Sequence, residues 1–219
     1  MIDESKEMIP FMDTFYSLSS NDPKERSVSA SSLLHHVFLS SSSTTTSNNN
    51  NNNNNSSSND EDMKVDHDDQ SQQIFDALVK DGCYALTRLL NGLCSGRASA
   101  RQGYASCFSS FLKLSFQIVP ESLTGSNGNK CWMEYFMEQS TDNDNEQLSM
   151  TPGGYVRKVL LDHTSVTETT TDRKGNTKKA KKGSEERDHL FGKLFGILAV
   201  IRSGTLNVDG SESSFEVRL

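Results

Sequence analysis

Tyr84-Ala-Leu-Thr-Arg-Leu-Leu-Asn-Gly-Leu-Cys-Ser-Gly-Arg-Ala-Ser-Ala-Arg-Gln-Gly-Tyr104 is the stretch on which the fold turns. On its upstream side Ile74, Leu78, Leu86, Leu89, Leu90 and Leu93 fall at helical spacing, which gathers them on one face of a helix of 3.6 residues per turn. Asp81-Gly82 is a point at which that run could divide in two, and Gly96 marks its stop. On the downstream side Ala100, Tyr104, Cys107, Phe108, Phe111, Leu112 and Ile118 repeat the pattern until Pro120, which cannot continue a helix. Two helices of similar length joined by a tight Ser-Gly turn form an antiparallel pair. An isolated pair leaves an apolar face open, and repeat proteins cover that face with the next pair. The expected fold class is therefore all-α: a helical-repeat, HEAT/armadillo-like solenoid segment with long disordered insertions.

Upstream of this pair, Phe11 to Ser19 is a first helical candidate. Asp22-Pro23 then opens a second, because Asp accepts from a helix's unpaired first amides and Pro is tolerated at the first helical position. That helix runs through Val28, Leu33, Leu34, Val37 and Phe38, so residues 1–39 read as an amino-terminal helical hairpin. From Ser40 the chain turns to Ser and Thr, then to an unbroken asparagine run from Asn48 to Asn55, then to Asp60, Glu61, Asp62, Asp66, Asp68 and Asp69. Such a composition buries too little apolar surface to offset the entropy of ordering, so 40–72 reads as a low-complexity disordered insertion. Residues 73–120 hold the antiparallel pair.

Residues 121–183 read as a polar and basic insertion. Within it Cys131, Trp132, Tyr135, Phe136 and Met137 form a local apolar knot able to dock on the helices, and Tyr155 to His163 carries a short helical pattern through Val156, Val159 and Leu160. The threonine-rich, then basic stretch Thr164 to Gly183 is expected to be a solvated linker. A capped amphipathic helix follows over 184–205, with Ser184 as its cap, Glu185, Glu186 and Asp188 in the first turn, Arg202 in the last and Gly204 beyond. Leu190, Phe191, Leu194, Phe195, Leu198 and Ile201 form its apolar stripe, while Gly192 and Gly196 would let another backbone approach closely. Residues 206–219 read as a truncated tail.

A hydrophobic fraction of 33% over 219 residues is low for a chain that is compact throughout. The net charge of −7 argues against a surface that coats nucleic acid or an anionic membrane, since phosphate neutralisation needs a field of Lys and Arg, so any nucleic-acid contact must be local. Cys83, Cys94, Cys107 and Cys131 include no CxxC pair and no histidine at metal spacing, which fits a reducing, intracellular setting. Met1 to Pro10 lacks the basic-then-apolar order of a secretory signal. The longest apolar candidate, Leu190 to Ile201, is broken by Lys193 and is too short to span a bilayer, so no membrane contact is expected.

Two blocks, Tyr84 to Tyr104 and Glu185 to Gly204, together resemble the amino-terminal region of the DNA polymerase phi family, also called DNA polymerase V, which includes the nucleolar Myb-binding proteins. The first block carries Arg88, Leu89, Gly92, Leu93, Arg97, Ser99, Ala100 and Arg101, and the second Glu186, Arg187, Asp188, Leu190, Phe191 and Gly192. Phe15, Tyr16, Leu18, Ser19, Asp22 and Arg26 are similar to the family's opening helices. Gly96, Gln102, Ser106, Ser109 and Ser110 depart from the pattern, and the polar serines bear on how the helices pack. The resemblance implies a nucleolar helical-repeat protein of ribosomal RNA gene transcription and ribosome biogenesis, with DNA-binding and transcription-coregulator roles. It also implies that this chain is either an amino-terminal piece of something longer or a truncated gene product ending at Leu219.

Arg97 and Arg101 lie four apart and so share a helix face, with Arg88 near on the preceding helix. They are candidate contacts to nucleic acid or an acidic partner, although arginines that merely pair helices are the commoner case. Lys178, Lys179, Lys181 and Lys182, with Arg173 and Lys174 upstream, make the densest basic cluster and read as a nuclear-targeting address or nucleic-acid patch. Polymerase chemistry asks for carboxylates that hold two metal ions, and the Asp60 to Asp69 group sits beside a low-complexity run that offers no scaffold for them. His35, His36 and His189 have no nucleophile that the sequence places beside them, and there is no phosphate-cradling glycine pattern. The sequence thus offers no catalytic, metal or cofactor-binding residues, no cofactor and no small-molecule substrate. The expected partners are DNA, as ribosomal RNA gene chromatin, and nuclear proteins, and the expected location is the nucleolus of the nucleus. A DNA-directed DNA polymerase, as the family name suggests, and a cytosolic helical scaffold are the alternatives.

Overall fold

The structure is a computed structural model that describes residues 9–38, 67–120, 123, 130–140, 150–165, 170–171, 177–178 and 183–205. The asparagine run, the acidic residues Asp60 to Asp66 and the tail 206–219 lie outside the described residues, whereas residues 67–72, expected within the disordered insertion, are helical. The helices are α1 (Phe11–Ser17), α2 (Pro23–Phe38), α3 (His67–Leu93), α4 (Ala98–Ser115), α5 (Trp132–Ser140), α6 (Pro152–Thr164) and α7 (Ser184–Ser203). Two residue pairs, Thr170–Thr171 (β1) and Thr177–Lys178 (β2), form a minimal antiparallel ladder with Thr170 opposite Lys178. The chain is all-α in its core, as the spacing predicts.

Local chemistry sets several helix ends. The Asp22 carboxylate accepts from the Lys24 amide at 2.9 Å, with Pro23 as the first residue of α2. The Thr151 hydroxyl accepts from the Gly154 amide at 3.2 Å, again with Pro at the start. At α7 the expectation shifts by one residue: Gly183, at φ 123°, takes the cap position and Ser184 is already helical. Gly204, at φ 71°, closes α7 in the left-handed conformation that glycine adopts without steric cost.

Helix α3 runs unbroken through Asp81-Gly82, because Gly82 is where the Phe136 ring presses on its backbone. A Cβ there would meet that ring at 2.3 Å. Helix α4 ends at Ser115 rather than near Pro120, so Ile118 leaves the apolar face and is 62% exposed, in a single bridge to Cys131. Near the α3–α4 turn Gly92 faces the Tyr104 ring. Ten residues back along α3, Gly82 meets Phe136, which stacks on Phe111 of α4 at 5.8 Å. The two helices therefore run antiparallel.

The same pairings orient the other helices. Arg26 lies beside Gly103 and Phe38 beside Phe111, so α2 runs with α4. Phe75 meets Trp132, and Cys83 meets the end of α5 at Ser140, so α5 runs with α3. Tyr155 donates to Ser140 at 3.0 Å, and His163 reaches Asn91, so α6 also runs with α3. Arg101 meets Asp188, while Ser110 and Arg202 line one groove, so α7 runs with α4. The result is α2, α4 and α7 pointing one way and α3, α5 and α6 the other, around a core of Leu33, Val37, Leu89, Leu90, Phe108, Phe111 and Phe136. The apolar knot docks through Trp132 and Phe136, which are buried, with Cys131, Tyr135 and Met137 half-buried, and Met133, not part of the expected knot, is buried beside them.

Helix α7 departs most from expectation. An amphipathic helix ordinarily turns its large apolar residues to the core. Here the buried side is Gly192, Gly196, Ala199 and Ser203, and Leu190, Leu194, Ile197, Leu198 and Ile201 are 44–63% exposed. The glycines do permit close approach. A Cβ on Gly192 would stand 2.5 Å from Cys94 Sγ, and one on Gly196 2.3 Å from Leu160 Cδ1.

Gly103 provides the sharpest test of this packing, since a Cβ there would fall 1.9 Å from the Leu18 carbonyl oxygen. Gly103→Ala should destabilise the chain by about 2 kcal/mol, because backbone cannot yield as a side chain would, even after the helix propensity gained. Gly96→Ala, whose nearest neighbour is Asp188 Oδ2 at 3.4 Å, should stay within about 0.5 kcal/mol. Urea midpoints of the two variants check both values.

Candidate functional site

The three arginines singled out by spacing have different surroundings. Arg97 is the residue preceding α4, is exposed, and donates to the Ser19 carbonyl at 3.2 Å. Arg88 lies on α3 with its guanidinium 5.6 Å from the Phe15 ring centroid and its Nε buried without a hydrogen-bond partner. Arg101 is the most enclosed, with its side chain 11% exposed. It donates to the Ser95 carbonyl, stands 3.7 Å from an Asp188 oxygen and lies 4.8 Å from the Phe191 ring centroid. Arg97 and Arg101 thus share a helix end but differ in role, since Arg97 lies at the surface while Arg101 ties α4 to α7. The Lys178 backbone lies in β2, and Lys179, Lys181 and Lys182 lie outside the described residues.

Arg101 and Asp188 come from stretches widely separated in sequence, and their meeting brings the turn between α3 and α4 against the start of α7. Cys94 completes the junction, with its sulfur against Gly192 and its thiol directed to the His163 carbonyl at 3.7 Å. A sequence model described as DNA polymerase phi matches residues 84–217, which take in the last ten residues of α3 and all of α4, α5, α6 and α7. The chain belongs to the DNA polymerase phi family. It is 30% identical over 118 residues, 54% of its length, to the rDNA transcriptional regulator POL5 of Saccharomyces cerevisiae. The matched stretch spans 9% of that relative's own length. No solved structure matches this polymerase phi family chain.

All four cysteines are free thiols. Burial pushes each thiol above its ordinary pKa, and Cys107, fully enclosed in α4, is pushed up to about 12. These are packing residues, since the reactive form of cysteine is the thiolate. His36 lies 2.9 Å from an Asp81 carboxylate oxygen and stacks on Phe11 at 4.4 Å, which fastens α1 and α2 to α3. Among the described residues no three His, Cys, Asp or Glu side chains gather as a metal site requires. No helix among them is long and apolar enough to cross a membrane.

Spacing did not reveal the groove between α2 and α4. It has a volume of about 430 Å³, with Arg26, Ser27 and Ser31 on one side, Gln102, Ser106 and Ser110 on the other, and Arg202 of α7 at its edge. Gln102, Ser106 and Ser110 recur at intervals of four along α4. That polar recurrence on an otherwise apolar helix was the available signal.

Two predictions test these assignments. Arg101→Ala should cost about 2 kcal/mol, because it leaves the partly buried Asp188 carboxylate unpaired, whereas Arg97→Ala at the surface should cost under about 0.5 kcal/mol. If Arg101 instead served nucleic acid, its loss would weaken DNA binding and leave the thermal midpoint unchanged. The second prediction concerns His163, whose basicity is lowered by burial, against a smaller opposing effect of Asp162. The unfolded chain then binds the proton more readily, so stability is full above pH 6.5 or so and falls on acidification through that value. Urea midpoints between pH 7.5 and 5.5 should fall, and fall less in His163→Gln.

Proposed function

We propose that this chain is a helical-repeat binding segment that acts in the nucleus, within the nucleolus, in ribosomal RNA gene transcription and ribosome biogenesis. It does so by binding DNA and nuclear proteins. The observation that carries this reading is family membership together with 30% identity over 118 residues to a yeast rDNA transcriptional regulator.

The solenoid part of the reading rests on two features. The helices lie in two sets of opposite direction, α2, α4 and α7 against α3, α5 and α6, which is how stacked helical hairpins are arranged. The outer face of α7 carries Leu190, Leu194, Ile197 and Ile201 at alternating intervals of four and three, all well exposed. Such a seam suits a further helix laid against it. An apolar face of this kind marks an interaction surface.

For DNA contact we assign Lys178, Lys179, Lys181 and Lys182 the leading part, as both nuclear address and phosphate contact. Arg97 is in support, because Arg88 and Arg101 are engaged by Phe15, Phe191 and Asp188. The test is fluorescence anisotropy of the 219-residue chain with duplex DNA across a salt series. Binding should weaken linearly in log–log form, and replacing the four lysines by alanine should flatten the slope by up to about 3.6, at roughly 0.9 per lost phosphate contact. The same variant, fluorescently tagged, should lose nuclear accumulation. An unchanged slope and unchanged nuclear entry would overturn the assignment and leave this segment a packing and protein-docking module.

A further inference from the structure

We propose that the trough over α4, walled by α2 and α7, receives an acidic amphipathic helix from a protein partner. The trough exists because α4 presents small or polar residues outward where its neighbours stand proud. Gln102, Ser106 and Ser110 form the floor and are all exposed. The polar groove against α2 is continuous with a second, apolar groove of about 330 Å³ against α7, since Gln102, Ser106 and Arg202 line both.

The two walls differ in chemistry. On the α7 side Phe195, Leu198 and Ala199 offer apolar surface, and Leu198 is 44% exposed. On the α2 side stand Ser27 and Ser31 with the Arg26 guanidinium, whose Nη1 is held by the Ser20 and Asn21 carbonyls at 2.8 and 3.0 Å. Arg202 stands between the walls and makes no ion pair among the described residues. Among the described residues no carboxylate lines either groove. Two arginines without a counter-charge among the described residues, beside an apolar wall, complement a helix that carries leucine-like residues on one face and carboxylates on the next. A nucleic-acid backbone would satisfy the arginines and leave the Phe195 and Leu198 wall unused.

A library of displayed 20-residue helical peptides, panned against the full 219-residue chain, is the test. Enriched peptides should be amphipathic and net acidic, and their affinity should fall as salt rises. Ser106→Trp, which fills the trough from an exposed position, should weaken binding at least tenfold, and Arg202→Glu several-fold. Ser27→Trp does the same from the opposite wall should Ser106→Trp fail to melt like the parent. Leu190→Glu, on the outer face of α7, should leave binding unchanged. The proposal is overturned if no peptide is enriched, if those recovered carry no acidic bias, or if only Leu190→Glu abolishes their binding. Duplex DNA perturbing the Ser106 and Ser110 amide resonances at low salt while acidic peptides do not would also overturn it. The trough argument draws on Arg26, Arg202 and the α7 wall and not on the lysine cluster, so failure of the nucleolar reading leaves peptide binding here intact.

Discussion

The close approach of α7 to the α3–α4 turn and to α6 is the constraint from which the rest follows. Gly192 admits the Cys94 sulfur and Gly196 admits Leu160, both at distances that a side chain would forbid. With glycines, Ala199 and Ser203 facing inward, the helix packs only the half-buried Phe195 and Val200 as larger apolar residues against the core. Its leucines and isoleucines must therefore face outward. The face that a surface helix normally hides thus becomes the most apolar exposed surface described in this chain, and an energetic penalty of exposure in isolation becomes a gain on association.

Helix α4 transmits that constraint. It touches α1 through the Tyr104 hydroxyl, which donates to the Phe15 carbonyl at 2.8 Å, and through Gly103, which takes the Leu18 carbonyl against its backbone. It reaches α7 through Arg101, whose guanidinium satisfies a carboxylate and covers an aromatic ring at once. A planar guanidinium can do both where a lysine ammonium cannot. Arg101 and Tyr104 continue the side of α4 that carries Phe108, Phe111 and Leu112, and Gly103 extends the buried arc of the helix towards the end of α1. What remains open is the stripe Gln102, Ser106 and Ser110, and it forms the floor of the trough.

Much of this was legible in the sequence. Helical spacing placed both members of the α3–α4 pair, the Asp22-Pro23 start of α2 and the Gly204 stop of α7, because these rest on local hydrogen bonding and backbone sterics. The docking of Trp132 and Phe136 was readable from their clustering. The misplacements have physical causes. Asp81-Gly82 looked like a break because glycine weakens an isolated helix, but here Phe136 packs into the space that glycine leaves. Ile118 fitted the period of α4 but lies beyond the Ser115 end of the helix, where it pairs with Cys131. The arginines could be placed on helices but not assigned partners, since Asp188 and Phe191 lie far along the chain.

By itself the sequence determined the all-α class, the Asp22-Pro23 start of α2 and the Gly204 stop of α7, and the family, because these depend on residue identity and spacing along the chain. Only the tertiary structure decided which face of α7 is buried, which arginines are occupied and where a polar trough opens. Those outcomes depend on close approaches between segments remote in sequence, and a glycine's value there lies in the neighbour it admits, which its own position along the chain does not reveal.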